Sequence, residues 1–346
     1  SRYTTLLLSP SALTLSEFDS ERKGDRENML TNRTKRLVGV TLVAAFILMA
    51  VSPALSVAAD IPSDLCVGPY VDKIVYKVIA DQDQRILALQ AGTIEMDNSF
   101  FEATYLPQLE ADPDIDIFQA LRNGYGHFTI NCRDGGDGAL ADANVRRAFA
   151  FAFDKTAVTT QIMAGYSEEH DSLIPAPNSF CIEDELPWHY YTADVETGNA
   201  ILDAAGYAIN SETGYRELPG GGPFSITFEY ASSVEQVGGG SCQIGVDAFT
   251  ALHIQANREP ADFNEYISRL DHHGDYDIIF YAFNYYSNNV DWLAYQYWSD
   301  YADVDYQNPT NFANATYDSY RNDLLYGVTY EEVYEAADFV SDGLGP

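Results

Sequence analysis

The sequence predicts an α/β protein. Two patterns carry that expectation. After Asp60, short alternating or β-branched runs recur between stretches of helical spacing, and Gly or Asp punctuates most changes of period. Bulk adds a third argument: 346 residues, 46% apolar and 13% aromatic, supply enough apolar surface for a sizeable core and enough length for two domains.

The elements follow in order. Lys73–Ala80 alternates and is β-branched, which predicts a strand. Asp81 is placed to cap a helix running through Gln90, with Ile86, Leu87 and Leu89 as its apolar face and Gly92 as its stop. Ile94–Asn98 reads as a short strand. Leu106–Ala111 reads as a short helix ended by Asp112-Pro113, and Ile115–Ala120 and His127–Asn131 read as further strands. The clearest helix follows the loop Gly135–Gly138. Asp142 is its N-cap, and Val145, Ala148, Phe149, Ala152 and Phe153 fall on one face. Asp154 caps the next helix, Thr156–Met163, which Gly165 closes; Gly206 closes Thr197–Ala205. Phe224–Tyr230 and His253–Arg258 read as strands flanking a helix over Gln243–Leu252. Asp262–Leu270 predicts a helix and Asp277–Tyr281 a buried strand, with helices again over Trp292–Trp298 and Tyr317–Leu325.

Charge narrows the function classes. Fifty-two acidic against 19 basic residues give a formal net charge of −33. Such a surface repels nucleic acid phosphates and anionic lipid headgroups, so neither is an expected partner. Scarce lysine and abundant aspartate suit a salty medium. Cys66, Cys132, Cys181 and Cys242 stand far apart, without the paired spacing of a zinc or redox site. They permit zero, one or two disulfides, and the pairing stays open.

Residues 29–59 carry the pattern of a signal peptide. Met29 precedes a basic stretch (Arg33, Lys35, Arg36), then comes an apolar run from Leu37 to Val51, helix-breaking Pro53 and the small residues Ser56–Ala59. The apolar run falls short of the roughly 20 residues that span a bilayer, although 37–59 taken whole reads as an uncleaved anchor. Residues 1–28 are polar, have no place before a signal, and are read as upstream sequence translated in frame. Cys66 follows Asp64-Leu65 rather than the small-residue box of a lipoprotein.

Several blocks then match one family. Asp142–Lys155, with Val145-Arg146-Arg147-Ala148 and Ala152-Phe153-Asp154-Lys155 at its heart, resembles a signature of bacterial extracellular solute-binding proteins of family 5, the peptide- and nickel-type receptors. Tyr70–Lys77, Ala88–Met96, Met163–Gly165, Ile201–Tyr207 and Gly274–Ile278 are similar to further blocks of that family, in its order. The resemblance implies a two-lobed, type II periplasmic-binding-protein-like fold. Residues 60–131 would form part of the first lobe and 132–346 the second. It also implies that the chain is truncated: family members have a long portion before the strand at 73 and continue past position 346. Gly135–Gly138 stands where the family has a proline-phenylalanine-aspartate loop.

Hinged lobes bind solutes in the cleft between them, with apolar or aromatic walls and a few fixed polar groups. The candidate wall is the run Tyr281, Phe283, Asn284, Tyr285, Tyr286, Asn288, Asn289, Asp291 and Trp292, whose rings and amides suit a peptide backbone or a sugar. A tyrosine-rich surface loop after a core strand is the plainer reading of the same run. Arg122, Asn123, Tyr125, His127 and Asn131 are candidates for a second wall. In peptide binders of the family an aspartate shortly after this strand holds the ligand's α-amine. That position falls near Asn284 or Tyr285 here, so no acid matches, and Asp291 is the candidate substitute.

The other features carry less. His272-His273 beside Asp271 and Asp275 lacks metal-ligand spacing and reads as an exposed loop. Arg146 and Arg147 are expected in structural ion pairs with carboxylates, and Asp142 and Asp194 as caps. Asn314-Ala-Thr316 is a glycosylation sequon. No nucleophile, zinc-protease or phosphate-loop motif occurs. The implied role is therefore a non-enzymatic, exported receptor without metal or cofactor. Its partners would be a peptide or small polar solute and the permease subunits of an ABC importer, with the membrane reached only through the signal or anchor segment. A secreted glycoside hydrolase, using two of the many acids, and a degenerate non-binding fragment are the alternatives.

Overall fold

The computed structural model describes residues 71–99, 102–133, 138–285 and 287–342. The expected upstream sequence, the signal peptide, Cys66, Tyr286 and most of the Gly135–Gly138 loop lie outside the described residues. Residues up to Val78 and those from Ile79 onward form two separate units.

At the centre of the second unit is a four-stranded mixed sheet: β1 (Gly124–Ile130), β2 (Ser225–Ala231), β3 (Gln255–Ala261) and β4 (Ile278–Asn284), in the order β1-β4-β2-β3. β2 runs parallel to both β3 and β4, whereas β1 closes the edge antiparallel to β4. The parallel steps are made by helical crossovers. α5 (Gly240–Ala251) links β2 to β3, and α6 (Phe263–Asp271) links β3 to β4. Earlier helices are α1 (Gln82–Gln90), α2 (Leu106–Glu110), α3 (Ala143–Ala152) and α4 (Val195–Ala204); α7 (Leu293–Gln296), α8 (Ala315–Tyr326) and α9 (Tyr330–Asp342) follow the sheet.

Strand pleating sorts the side chains between two cores. Phe128, Ile226, Phe228, Tyr230, Ile278 and Phe280 face α3 and α5, where Phe149 stacks on Phe249 with ring centroids 4.5 Å apart. Gly245 of α5 lies against the Phe228 ring, and a methyl group there would drive into that ring. The opposite face buries Ile279 against Tyr266 and Leu270 of α6, which begins at its predicted cap, Asp262, whose side chain accepts from Asn264 N–H at 2.9 Å. A third cluster joins α7, α8 and α9 through Leu293, Tyr317, Leu324, Ala337 and Val340.

The α3 signature helix forms as expected. Asp142 caps it, and Val145, Ala148, Phe149 and Ala152 are buried. Arg146 departs from expectation: it donates to the carbonyls of Leu140 and Ala141, at 2.7 and 2.8 Å, rather than to a carboxylate. The predicted strands at Lys73–Ala80, Ile94–Asn98 and Ile115–Ala120 are absent. A strand exists only through a ladder, and these segments have no partner among the described residues. Ile74, Val75, Tyr76 and Val78 accordingly lie exposed. In Ile94–Asn98 a local bond also competes, because Asp97 accepts from Ser99 N–H at 2.8 Å and holds a bend. α9 lies beyond the predicted helices, although Thr329 and Glu332 form a capping box that announces it.

Candidate functional site

Register brings the two candidate walls together. Tyr125 lies opposite Phe283 and His127 opposite Tyr281, so the four side chains share the sheet face that the α3–α5 layer leaves open. Their rings form a continuous chain. His127 meets Tyr281 and Phe283 at centroid distances of 6.2 and 6.4 Å. Phe283 stacks on Tyr285 at 5.6 Å, and Tyr285 stacks on Trp292 at 3.9 Å. Tyr125 meets Tyr285 at 6.0 Å and fixes its hydroxyl by donating to the Leu173 carbonyl at 2.8 Å. Gly124 allows the close strand approach; a side chain there would collide with the Phe283 carbonyl. Asn123 continues the union past the ladder, donating to the carbonyls of Tyr285 and Ser287 at 3.0 and 2.9 Å.

Beside this surface lies a cavity of about 360 Å³. Thr129, Tyr281 and Phe283 belong to the sheet side of its lining, and Ile267, Leu270 and Asp271 come from α6. Trp292, Tyr295 and Gln296, with the loop 306–309, complete it. In that loop and just outside it, Asp303, Tyr306, Asn308 and Asn311 hold positive φ angles of 65°, 64°, 33° and 53°. Asn308 is fully buried and donates to the carbonyls of Trp298 and Phe312, which braces the loop from behind.

Electrostatics follow from burial. Desolvation among the rings lowers the His127 pKa to about 4, so its imidazole is neutral near pH 7. Its Nε2 lies 3.2 Å from the Thr129 hydroxyl, while Nδ1 is shielded and unpartnered. The Trp292 indole N–H is likewise buried without an acceptor. Burial raises the Asp271 carboxyl above its ordinary value, with neighbouring His272 opposing, and the phenol of Tyr281 is raised by burial and by the charge of Asp271.

Three candidate residues stand apart from this arrangement. Asn284, at the end of β4, alternates onto the other face of the sheet. Asn131 lines a second cavity with Arg133 and Asp277, and its amide is committed to the Tyr276 carbonyl and to Asn311. Asp291 is outside the lining of either cavity, its backbone N–H donating to Asn289 Oδ1 at 3.1 Å. Sequence reasoning missed Asp271, Tyr295, Gln296 and the loop 306–309. The Asn308-Pro309 turn was the available signal there, and nothing local ties it to β4.

Elsewhere, Asp171, Glu183 and His189 cluster at metal-binding distance, yet their oxygens are occupied. Lys155 bonds Asp171, and Glu183 takes the N–H groups of Asp171 and Ser172 together with the Tyr191 hydroxyl. His272 pairs with Asp305 at 2.9 Å and His273 with the Val304 carbonyl at 2.8 Å, so the adjacent histidines turn to different partners. Cys132, Cys181 and Cys242 are free thiols.

Comparison with known proteins places this geometry. In sequence, the chain is 27% identical over 162 residues to the oligopeptide-binding protein OppA of Lactococcus lactis subsp. cremoris, covering 44% of this chain and 26% of that one. It is 24% identical over 144 residues to heme-binding protein A of Haemophilus influenzae, covering 42% and 25%. In structure, it matches the oligopeptide-binding protein AppA of Bacillus subtilis, solved with a nonapeptide, at a TM-score of 0.66 and 19% identity, over 80% of this chain and 54% of that one. A mannohexaose-bound oligopeptide-binding protein of Thermotoga maritima aligns at a TM-score of 0.64 and 20% identity, over 77% and 51%. The chain thus spans about a quarter of these curated relatives in sequence and about half of the solved chains. The expected α/β, periplasmic-binding-protein-like fold holds. Residues 67–305 match the model of the middle region of the bacterial extracellular solute-binding proteins, family 5, and the chain belongs to that family.

Proposed function

We propose that the chain is an exported solute-binding receptor of an ABC importer, and that it captures a peptide or similar small polar solute against the aromatic face of β1 and β4. One observation carries this reading. Tyr125 and His127 from one segment, and Tyr281, Phe283, Tyr285 and Trp292 from another, meet as a single ring surface beside a cavity of about 360 Å³. Rings supply apolar area at low entropic cost, and Asp271, Gln296 and Gln307 line the same cavity as the polar groups that such a ligand needs. The solved relatives bound to a nonapeptide and to mannohexaose support a peptide-like or sugar-like solute.

In this reading the protein does no chemistry. A glycoside hydrolase needs two carboxylates flanking the scissile bond. Asp271 is the one carboxylate among the described residues lining the cavity beside the rings; Asp275 and Asp277 line the second cavity, where Asp277 is committed to the Thr227 N–H at 2.8 Å. Residues 29–59 act as the export signal, β1 to β4 share one sheet and so one lobe, which draws the lobe boundary ahead of Gly124 rather than after residue 131, and permease subunits receive the loaded protein. Native mass spectrometry of the chain with mixed peptides and with oligosaccharides tests the proposal. One solute per chain is expected, with binding lost in Trp292→Ala. Release of reducing sugar from polysaccharide, or no bound solute of either kind, overturns it. The same assay with Asp291→Asn decides that residue: lost binding makes it the partner of the ligand's amine, and unchanged binding removes it from the site.

A further inference from the structure

The cavity beside the ring surface has an unusual charge asymmetry. Five of its lining residues are aromatic: Tyr281, Phe283, Trp292, Tyr295 and Tyr306. Asp271 is acidic, and no lysine or arginine is among the lining. Arg321 is not part of the lining: it lies over the Trp298 ring at 3.6 Å and reaches the ring of cavity-lining Tyr295 at 6.0 Å, so Tyr281, Phe283, Trp292 and Tyr306 are, among the described residues, the lining rings without a cation of the chain's own against them. The rings stand in different planes: Tyr281 and Phe283 meet at 78° with centroids 5.0 Å apart. Tyr285 covers one face of Trp292, so the cavity meets the remaining face or edge of that indole. The Asp271 carboxylate has no hydrogen bond or ion pair among the described residues, and its charge acts on the Tyr281 phenol, which places it on the cavity side of α6. An unpaired carboxylate in a half-buried site is costly, and a cation entering the cavity removes that cost. Aromatic faces carry negative quadrupole density and attract the same cation, most strongly when it is weakly hydrated.

We infer that this cavity is a selective subsite for an organic cation, an alkylammonium or guanidinium group, held by Asp271 within a cage of aromatic rings. The inference deepens the solute-binding reading, since it names the charge class of the group that enters the cavity. It also excludes anionic groups from the same place, where Asp271 and the ring faces repel them.

The test uses the whole chain and three small probes. Choline carries the cation, 3,3-dimethyl-1-butanol is its uncharged isostere, and 3,3-dimethylbutyrate is the anion. Binding is followed by calorimetry and indole fluorescence. Choline is expected to bind roughly tenfold more tightly than the alcohol, with no binding of the anion. Asp271→Asn should bring choline down to the level of the alcohol, Asp271→Glu should restore the difference, and both variants should keep the wild-type circular dichroism. Equal binding of choline and the alcohol, or choline affinity unchanged in Asp271→Asn, overturns the inference. A peptide library bound alongside failure of choline would sink the cation subsite and leave the receptor reading intact. Choline bound where no peptide or oligosaccharide binds would do the reverse.

Discussion

At the residue scale, burial decides which charges this protein tolerates. His127 sits among rings with its pKa lowered to about 4, against about 6.5 in the unfolded chain. As pH falls below about 6.5 the unfolded state binds a proton that the folded state refuses, so this residue's stabilising contribution is full at neutral pH and is lost toward pH 4. The loss is on the order of 3 kcal/mol at its fullest, and His127→Phe should lose less stability than the wild type between pH 7 and pH 4.5 in urea unfolding. Parallel curves for the two proteins would refute the assignment. Arg216 presents the opposite case, a cation buried in full. It donates to the Leu252 carbonyl at 2.9 Å, to Asn199 Oδ1 at 2.8 Å and to the Tyr207 carbonyl, and it pairs with Asp203 at 2.6 Å. Arg216→Met leaves those acceptors unpaired and should lower stability by about 3 kcal/mol, read from the urea midpoint.

At the scale of elements, the antiparallel union of β1 with β4 builds the site, and Gly124 permits it. Gly124→Ala forces a methyl group against the Phe283 carbonyl, so a stability loss of about 2–4 kcal/mol is expected together with weaker solute binding. Wild-type stability in that variant would show that the strands have room to spare. The same union marks the limit of what the sequence discloses. The ring-bearing segments were legible only in part: His127–Asn131 and Asp277–Tyr281 read as strands, whereas the strands in the structure begin at Gly124 and run to Asn284 and so take in Tyr125 and Phe283. Their pairing was not, since register between distant strands leaves no local trace. Helices with an aspartate cap and a buried stripe, such as α3 and α6, were legible almost to the residue. The three early strands failed for the converse reason: local alternation promises a strand, and only a neighbour makes one. Asp271 and the loop 306–309 escaped because a cavity wall is set by tertiary approach, with no period of its own.

At the scale of the molecule, the net charge of −33 governs behaviour more than any single pair does. Like charges crowded on a folded surface repel, and molar salt shortens the screening length to about 3 Å. The melting temperature should therefore rise when KCl is raised from 0.1 M to 2 M. A flat or falling trend would mean that the acidic surface is already neutralised by its own geometry. Within that charged shell the family fold keeps its sheet and its layered apolar cores, which salt affects far less than it affects the surface.

The strand pair that makes the ring surface also sets a timetable. β1 leaves the ribosome long before β4, with α3, α4, α5, α6 and two strands synthesised in between. Until Ile278–Asn284 has emerged, Tyr125 and His127 have no rings opposite them. On the receptor reading proposed above, a nascent chain therefore has no complete ring surface to offer a solute, and binding begins only when the last strand of the sheet docks.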